Sequence, residues 1–63
     1  MGTAPSDADI RFVLTHPKFR GVENHPERGE WTIRIADDGH VLEITDTFDN
    51  VYRRAVEVLR RLP

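Results

Sequence analysis

The chain has 63 residues, no cysteine and a formal net charge of −2, because nine Lys and Arg face eleven Asp and Glu. This length admits one small domain, and disulfides cannot stabilise it. The slight acidic excess argues against a dedicated nucleic-acid-binding protein, in which a basic balance is usual.

The N-terminal residues 1–8 lack the basic and hydrophobic regions of a signal peptide. No stretch of the chain approaches the roughly 20 apolar residues that a membrane span requires. We therefore expect a cytoplasmic protein with no membrane contact. Its predicted organisation is a disordered leader over residues 1–8, followed by a single domain over residues 9–63.

Residues 10–15 form the first periodic segment. Ile10, Phe12 and Leu14 alternate with other side chains, which predicts a half-buried strand. Residues 16–29 follow with two Pro and two Gly but only two large apolar side chains, and they are predicted to form a long loop. A loop of this length is either functional or partly disordered.

Residues 30–36 and 40–45 alternate on either side of Asp38-Gly39. Asp-Gly favours a type I′ turn, which needs positive φ at both positions, so these residues predict a two-residue β-hairpin. The turn also fixes the register, and every resulting cross-strand pair is favourable. The pairs are Ile35 with Leu42, Ile33 with Ile44, Ala36 with Val41, Arg34 with Glu43, and Thr32 with Thr45.

Residues 48–62 have the pattern of an amphipathic helix, in which the apolar residues fill one continuous arc. Thr47 or Asp46 is the predicted N-cap, and Arg60 and Arg61 lie in the last turn, where cations suit the helix dipole. The predicted fold class is therefore α+β: a strand, a long loop and a hairpin form a three-stranded antiparallel sheet, and one C-terminal helix packs on one face.

The second face of this sheet would have no covering layer. It is either an ordinary solvated face, a surface for a protein partner or a second copy, or a nucleic-acid surface. The predicted contact residues on the open face are Arg11, Val13, Thr32, Arg34, Val41 and Glu43. Loops on a rigid scaffold often carry recognition, and the predicted contact residues of the long loop are His16, Lys18, Phe19, Arg20, His25 and Arg28.

Arginines on the last helix have two interpretations. Arg53, Arg54, Arg60 and Arg61 surround Glu57 at spacings of three and four residues. This spacing favours ion pairs within the helix, and the alternative is a surface for an anion or an acidic partner.

Catalytic and metal-binding patterns are weak. There is no cysteine nucleophile and no glycine-rich phosphate loop, so we expect no enzymatic activity and no cofactor. His16 and His25 lie in the predicted loop, whereas His40 lies at the tight turn. In a simple meander these are opposite ends of the sheet, so no metal site is predicted.

The predicted order of three strands and one helix resembles small sheet-plus-helix DNA-binding domains, such as the arm-binding domain of tyrosine-type integrases. Trp31 before the hairpin and Phe48 at the helix start are similar to that pattern. The acidic balance and Glu43 on the open sheet depart from it. The resemblance is one of topology, and it implies a nucleic-acid-binding alternative.

The sequence as a whole favours a small non-enzymatic domain for protein–protein interaction. A protein of this size and charge suits an inhibitor, an antitoxin-like protein, an accessory protein of a mobile element or a homodimer. The alternative is a nucleic-acid-binding module that uses the open sheet face and the long basic loop.

Overall fold

A computed structural model describes residues 4–63. The elements in chain order are α1 (Asp7–Leu14), β1 (Phe19–His25), β2 (Glu30–Asp37), β3 (His40–Asp46) and α2 (Phe48–Arg61). The three strands form an antiparallel sheet in the order β1-β2-β3. Helix α2 packs on β2 and β3, and α1 packs beside α2. The predicted α+β fold is confirmed, with an additional short helix at the N-terminal end.

The predicted hairpin between β2 and β3 is confirmed in full. Asp38 has φ +49° and Gly39 has φ +89°, as a type I′ turn requires. Arg34 lies opposite Glu43 and Thr32 lies opposite Thr45, and the other predicted pairs also hold. The turn therefore sets which side chains reach each face of the sheet.

Helix α2 is confirmed to within one residue. Its N-cap is Thr47, whose side chain makes no capping hydrogen bond. The preceding residue supplies one instead, because Oδ1 of Asp46 accepts a hydrogen bond from the Thr47 amide at 2.7 Å. The buried side of the helix is the predicted apolar arc, and its buried residues are Val51, Tyr52, Ala55, Val56 and Leu59.

The predicted strand over residues 10–15 is wrong, because residues 10–14 belong to helix α1 and Thr15 is its C-cap. The helix begins at an N-cap, Ser6, whose hydroxyl accepts a hydrogen bond from the Asp9 amide at 3.0 Å. Val13 is fully buried in the core, on the helical side of the sheet. The predicted location of Arg11 and Val13 on the open sheet face is therefore also wrong.

The predicted long loop over residues 16–29 contains strand β1, which pairs with β2 along its whole length. The register shifts between Phe19 and Gly21, which is a β-bulge. A turn then joins β1 to β2, where the Arg28 amide donates to the carbonyl of His25 at 3.0 Å and Gly29 has φ +65°. The loop interpretation failed because β1 has little of the hydrophobic alternation by which strands are predicted.

The predicted leader over residues 1–8 lies partly outside the described residues, which begin at residue 4. Its last two residues, Asp7 and Ala8, form the first turn of α1. Within residues 4–63, neither helix is long and apolar enough to cross a membrane.

The hydrophobic core lies between the sheet and the helices. Val13, Ile33, Ile35, Val51 and Ala55 are fully buried there. Because Ile33 and Ile35 face the helices, the side chains that alternate with them along β2 must face the opposite side. That opposite side has no covering layer among residues 4–63, and it contains the candidate site.

Candidate protein-binding surface

The open sheet face is the side of the sheet away from α2. Seven of the side chains that the strand register places on it form the candidate site: Glu23, His25, Thr32, Arg34, Val41, Glu43 and Thr45. All three strands contribute side chains. The central strand, β2, contributes Thr32 and Arg34, which contact side chains of both β1 and β3.

Arg34 forms the centre of an ion-pair network on this face. Its Nε atom donates to Oε2 of Glu43 at 2.9 Å, and its Nη2 atom donates to Oε1 of Glu23 at 2.8 Å. The hydrogen bond to Arg34, followed by the nearby charge of His25, lowers the pKa of Glu23. The hydrogen bonds to Glu23 and Glu43 raise the pKa of Arg34, and the bond to Glu23 has the larger effect. Arg34 therefore connects β1 to β3 across the surface of β2.

Thr32 forms a second connection across the three strands. Its Oγ1 atom lies 3.0 Å from Nε2 of His25 on β1 and 2.8 Å from Oγ1 of Thr45 on β3. Thr32 is 4 % exposed, and it is the only buried polar residue among those described. A buried hydroxyl is costly unless it is hydrogen-bonded, and these two partners satisfy it.

The hydroxyl of Thr32, the imidazole of His25 and the carboxylate of Glu23 follow one another in the order that nucleophilic catalysis uses. However, Nδ1 of His25 is 4.0 Å from Glu23 and 3.9 Å from Glu27, which exceeds hydrogen-bonding distance. The Thr32 hydroxyl is almost covered and lies on an open sheet rather than in a cleft. The arrangement therefore orders the sheet surface and does not resemble an active site.

The charge around the open sheet face is acidic. Residues 18–46 contain seven Asp and Glu but four Lys and Arg. The carboxylates that hold Arg34 remain accessible, with Glu23 49 % and Glu43 57 % exposed. Beside them Val41 is 56 % exposed, the highest value among the large hydrophobic residues that the structure describes. The surface thus combines accessible acceptors with one apolar contact point.

Four of the six residues predicted on the open face do lie together there: Thr32, Arg34, Val41 and Glu43. His25, predicted as a loop residue, joins them from the end of β1. Arg28 lies near this end of the sheet in the β1–β2 turn, where it pairs with Glu27 and Glu30.

The remaining predicted loop residues lie elsewhere, around the connection between α1 and β1. Nδ1 of His16 accepts a hydrogen bond from the Lys18 amide, and its ring contacts Phe12 edge-on. Nζ of Lys18 donates to the carbonyl of Pro63, and Arg20 donates to the carbonyl of Pro17. Phe19 packs against the core. These contacts are structural, and they do not extend the open sheet face.

Sequence reasoning missed Glu23 as a member of the site. Thr45 was expected on the open face, opposite Thr32, but was not among the predicted contact residues. Glu23 had no signal once β1 was interpreted as a loop, since its contact with Arg34 depends on pairing between β1 and β2.

The arginines of α2 do not form the predicted ion pairs with Glu57. Arg54 pairs instead with Asp46, Nη1 to Oδ2, at 3.0 Å. Among residues 4–63, Arg53, Arg60, Arg61 and Glu57 make no ion pair. The guanidinium group of Arg60 lies over the Phe12 ring at 5.9 Å. The helical side of the molecule is therefore more basic than the sheet side.

The three histidines do not meet. His25 ends β1, His40 begins β3, and His16 follows α1. No group of three His, Asp or Glu within the described part of the chain is arranged to hold a metal ion. No family model matches this chain, and neither a curated protein nor a solved structure matches it.

Proposed function

We propose that this chain is a non-enzymatic domain that binds a protein partner through the open sheet face. The observation that carries this proposal is the position of Arg34, which is held between Glu23 and Glu43 on an uncovered sheet. Such a network keeps three long side chains in one arrangement before any partner arrives. Pre-organisation of this kind reduces the conformational entropy that binding would otherwise cost.

The chemistry of the face favours a partner with a basic surface. Each carboxylate uses one oxygen on Arg34, so its other oxygen is free to accept a hydrogen bond from a Lys or Arg of the partner. Val41 supplies an apolar contact at the edge of the same face. Electrostatic complementarity would speed association and discriminate against acidic partners.

The same geometry disfavours nucleic acid on this face. A guanidinium group that binds phosphate presents its N–H groups to it, but Nε and Nη2 of Arg34 already donate to two carboxylates, which would lie beside the phosphate. Glu23 and Glu43 would also repel a phosphate backbone. Protein binding is therefore the function that the open sheet face supports best.

Two charge reversals test this proposal. Glu43→Lys changes the open sheet face, whereas Glu57→Lys makes the same change on α2, where the glutamate has no ion pair. Both variants and the unaltered chain are immobilised and exposed to extract of the source cells, with and without nuclease treatment. Retained proteins are identified by mass spectrometry, purified, and titrated against each form by calorimetry.

We expect a purified partner to bind the unaltered chain and Glu57→Lys equally, and to bind Glu43→Lys at least tenfold more weakly. Chemical-shift changes on binding should cluster on the residues of the open sheet face. A partner that binds both variants equally would contradict the proposal. Retention that disappears on nuclease treatment would favour the nucleic-acid alternative instead.

A further inference from the structure

We propose that two copies of this chain associate through the outer edge of β3, which joins their sheets into one six-stranded antiparallel sheet. The inference does not depend on the proposed function, because this edge is distinct from the open sheet face and leaves that face exposed. It depends on which backbone groups of β3 lack a partner, and on a register that suits two identical strands.

The hairpin determines which backbone groups of β3 point outward. In a two-residue hairpin the residues next to the turn, Asp37 and His40, form a hydrogen-bonded pair, and such pairs alternate along the ladder. The N–H and C=O groups of Val41, Glu43 and Thr45 therefore point away from β2. One contact agrees directly, because the Thr45 carbonyl accepts a hydrogen bond from Arg54 on the outer side, at 3.3 Å.

Strand β3 lacks most of the features by which proteins usually protect a sheet edge: its central charge is Glu43, and Arg54 contacts the edge at Thr45. Protected edges contain Lys, Pro, a bulge or a covering segment. The sequence of β3, HVLEITD, has no Lys, Pro or Gly, and its pairing with β2 has no register shift. Val41 is also 56 % exposed. The opposite edge differs, because β1 contains a bulge between Phe19 and Gly21.

One register suits two copies of β3. With Leu42 on the two-fold axis, Val41 lies opposite Glu43 of the second copy, and both residues have outward-pointing backbone groups. The two half-buried Leu42 side chains then face each other in a non-hydrogen-bonded pair. This register leaves the Thr45 carbonyl with Arg54. A shift that centres the pairing on Glu43 would place two carboxylates opposite each other and displace Arg54.

The helical layer also fits this arrangement. Helix α2 packs over β2 and β3, and neighbouring strands are about 4.8 Å apart. Two α2 helices on the same side of the joined sheet would thus be separated by about 10 Å, the spacing of packed helices. The second copy therefore meets no obstruction from α2 and can add helix packing to strand pairing.

Cysteine cross-linking tests both the dimer and its register, because the chain has no native cysteine. The Cα atoms of a non-hydrogen-bonded antiparallel pair are about 4.5 Å apart, within the range that a disulfide bridges. We expect Leu42→Cys to give a covalent dimer under mild oxidation. Val41→Cys and Glu43→Cys are matched controls that should give little dimer, because neither residue faces its own copy. Efficient cross-linking at either control position, or none at Leu42, would overturn the proposed register.

Sedimentation of the unmodified protein tests the association without cysteine. Val41→Pro removes an outward N–H group while leaving the hydrogen bonds to β2 intact, and Val41→Thr is the control that keeps this group. We expect a dimer for the unaltered chain and Val41→Thr, but a monomer with unchanged circular dichroism for Val41→Pro. A monomeric unaltered chain at its highest soluble concentration, or a dimer that persists in Val41→Pro, would overturn the proposal.

Discussion

The hydroxyl of Thr32 on the central strand lies 3.0 Å from Nε2 of His25 on β1. The same hydroxyl lies 2.8 Å from Oγ1 of Thr45 on β3, so one side chain joins three strands. Because Thr32 is almost completely buried, these hydrogen bonds are not exchanged freely with water. The polar face of the sheet therefore contributes to stability as well as to surface chemistry.

Replacing Thr32 tests this contribution. Thr32→Val keeps the shape of the side chain but leaves His25 and Thr45 without their shared partner, so we expect a loss of about 1–3 kcal/mol in the free energy of unfolding. Urea unfolding measures it. Thr45→Val is the matched control and should cost less, because the Thr32 hydroxyl keeps its contact with His25 in that variant. Equal losses in the two variants would show that the burial of Thr32 has no special importance.

Removing the guanidinium group between Glu23 and Glu43 tests the ion-pair network. The hydrogen bond from Arg34 is the largest cause that lowers the pKa of Glu23. We therefore expect Arg34→Met to raise the pKa of Glu23 toward its usual 4.5, as measured by carboxyl carbon chemical shifts in a pH titration. Arg28→Met is the control, because Arg28 has the smallest effect on Glu23 and should leave its pKa nearly unchanged.

The same variant should change the dependence of stability on pH. A carboxyl group whose pKa is lowered on folding stabilises the native state above its unfolded pKa, and this stabilisation is lost as the pH falls through the folded value. We expect the stability of the unaltered chain to decrease below about pH 4.5 in part through Glu23. In Arg34→Met, the contribution of Glu23 to this loss of stability at low pH should be absent. Identical acid profiles for both proteins would contradict the network.

The hairpin and α2 could be predicted because their signals are local. Asp38-Gly39 determines a turn, and the turn determines each cross-strand pair without reference to the rest of the chain. Five of the seven residues of the candidate site followed from it, including Arg34 opposite Glu43. The contact of Arg34 with Glu23 did not follow, because β1 is an edge strand whose polar residues show no two-residue period.

The first helix could not be recognised by alternation alone. Over six residues, Ile10, Phe12 and Leu14 fit a strand, yet Ile10 and Val13 fit one side of a helix equally well. The deciding signal lay upstream, where Ser6 precedes Asp9 by three residues and accepts a hydrogen bond from its amide. Recognising helix α1 from the sequence therefore requires its N-cap residue as well as its hydrophobic period.

Substitutions in α1 test its assignment as a helix. Val13 is fully buried in the core, whereas Leu14 is exposed. Val13→Ala removes packed methyl groups, and we expect it to lower the free energy of unfolding by about 1–3 kcal/mol. Leu14→Ala, the matched control, should change it by about 0.5 kcal/mol or less, as exposed positions usually do. A strand over residues 10–15 with Leu14 inward would reverse this order.

The carboxylate of Asp46 joins β3 to the start of α2 through its contacts with Thr47 and Arg54. The hydrogen bond from the Thr47 amide, followed by that from Arg54, lowers the pKa of Asp46 below its usual 3.8. Because the pKa is lowered on folding, this carboxylate stabilises the native state above about pH 3.8 and loses its effect as the pH falls further.

Asp46→Asn keeps an oxygen for the Thr47 amide but removes the negative charge near the helix N-terminus and the ion pair with Arg54. We expect it to lower the melting temperature at pH 7, by an amount that shrinks as the pH falls below about 3.8 and Asp46 itself becomes protonated. Asp49→Asn is the control that removes another charge from the first turn, but Asp49 makes no ion pair within residues 4–63. Thermal unfolding measured across this pH range tests the prediction. Equal losses of stability in the two variants at neutral pH would contradict the role of Asp46.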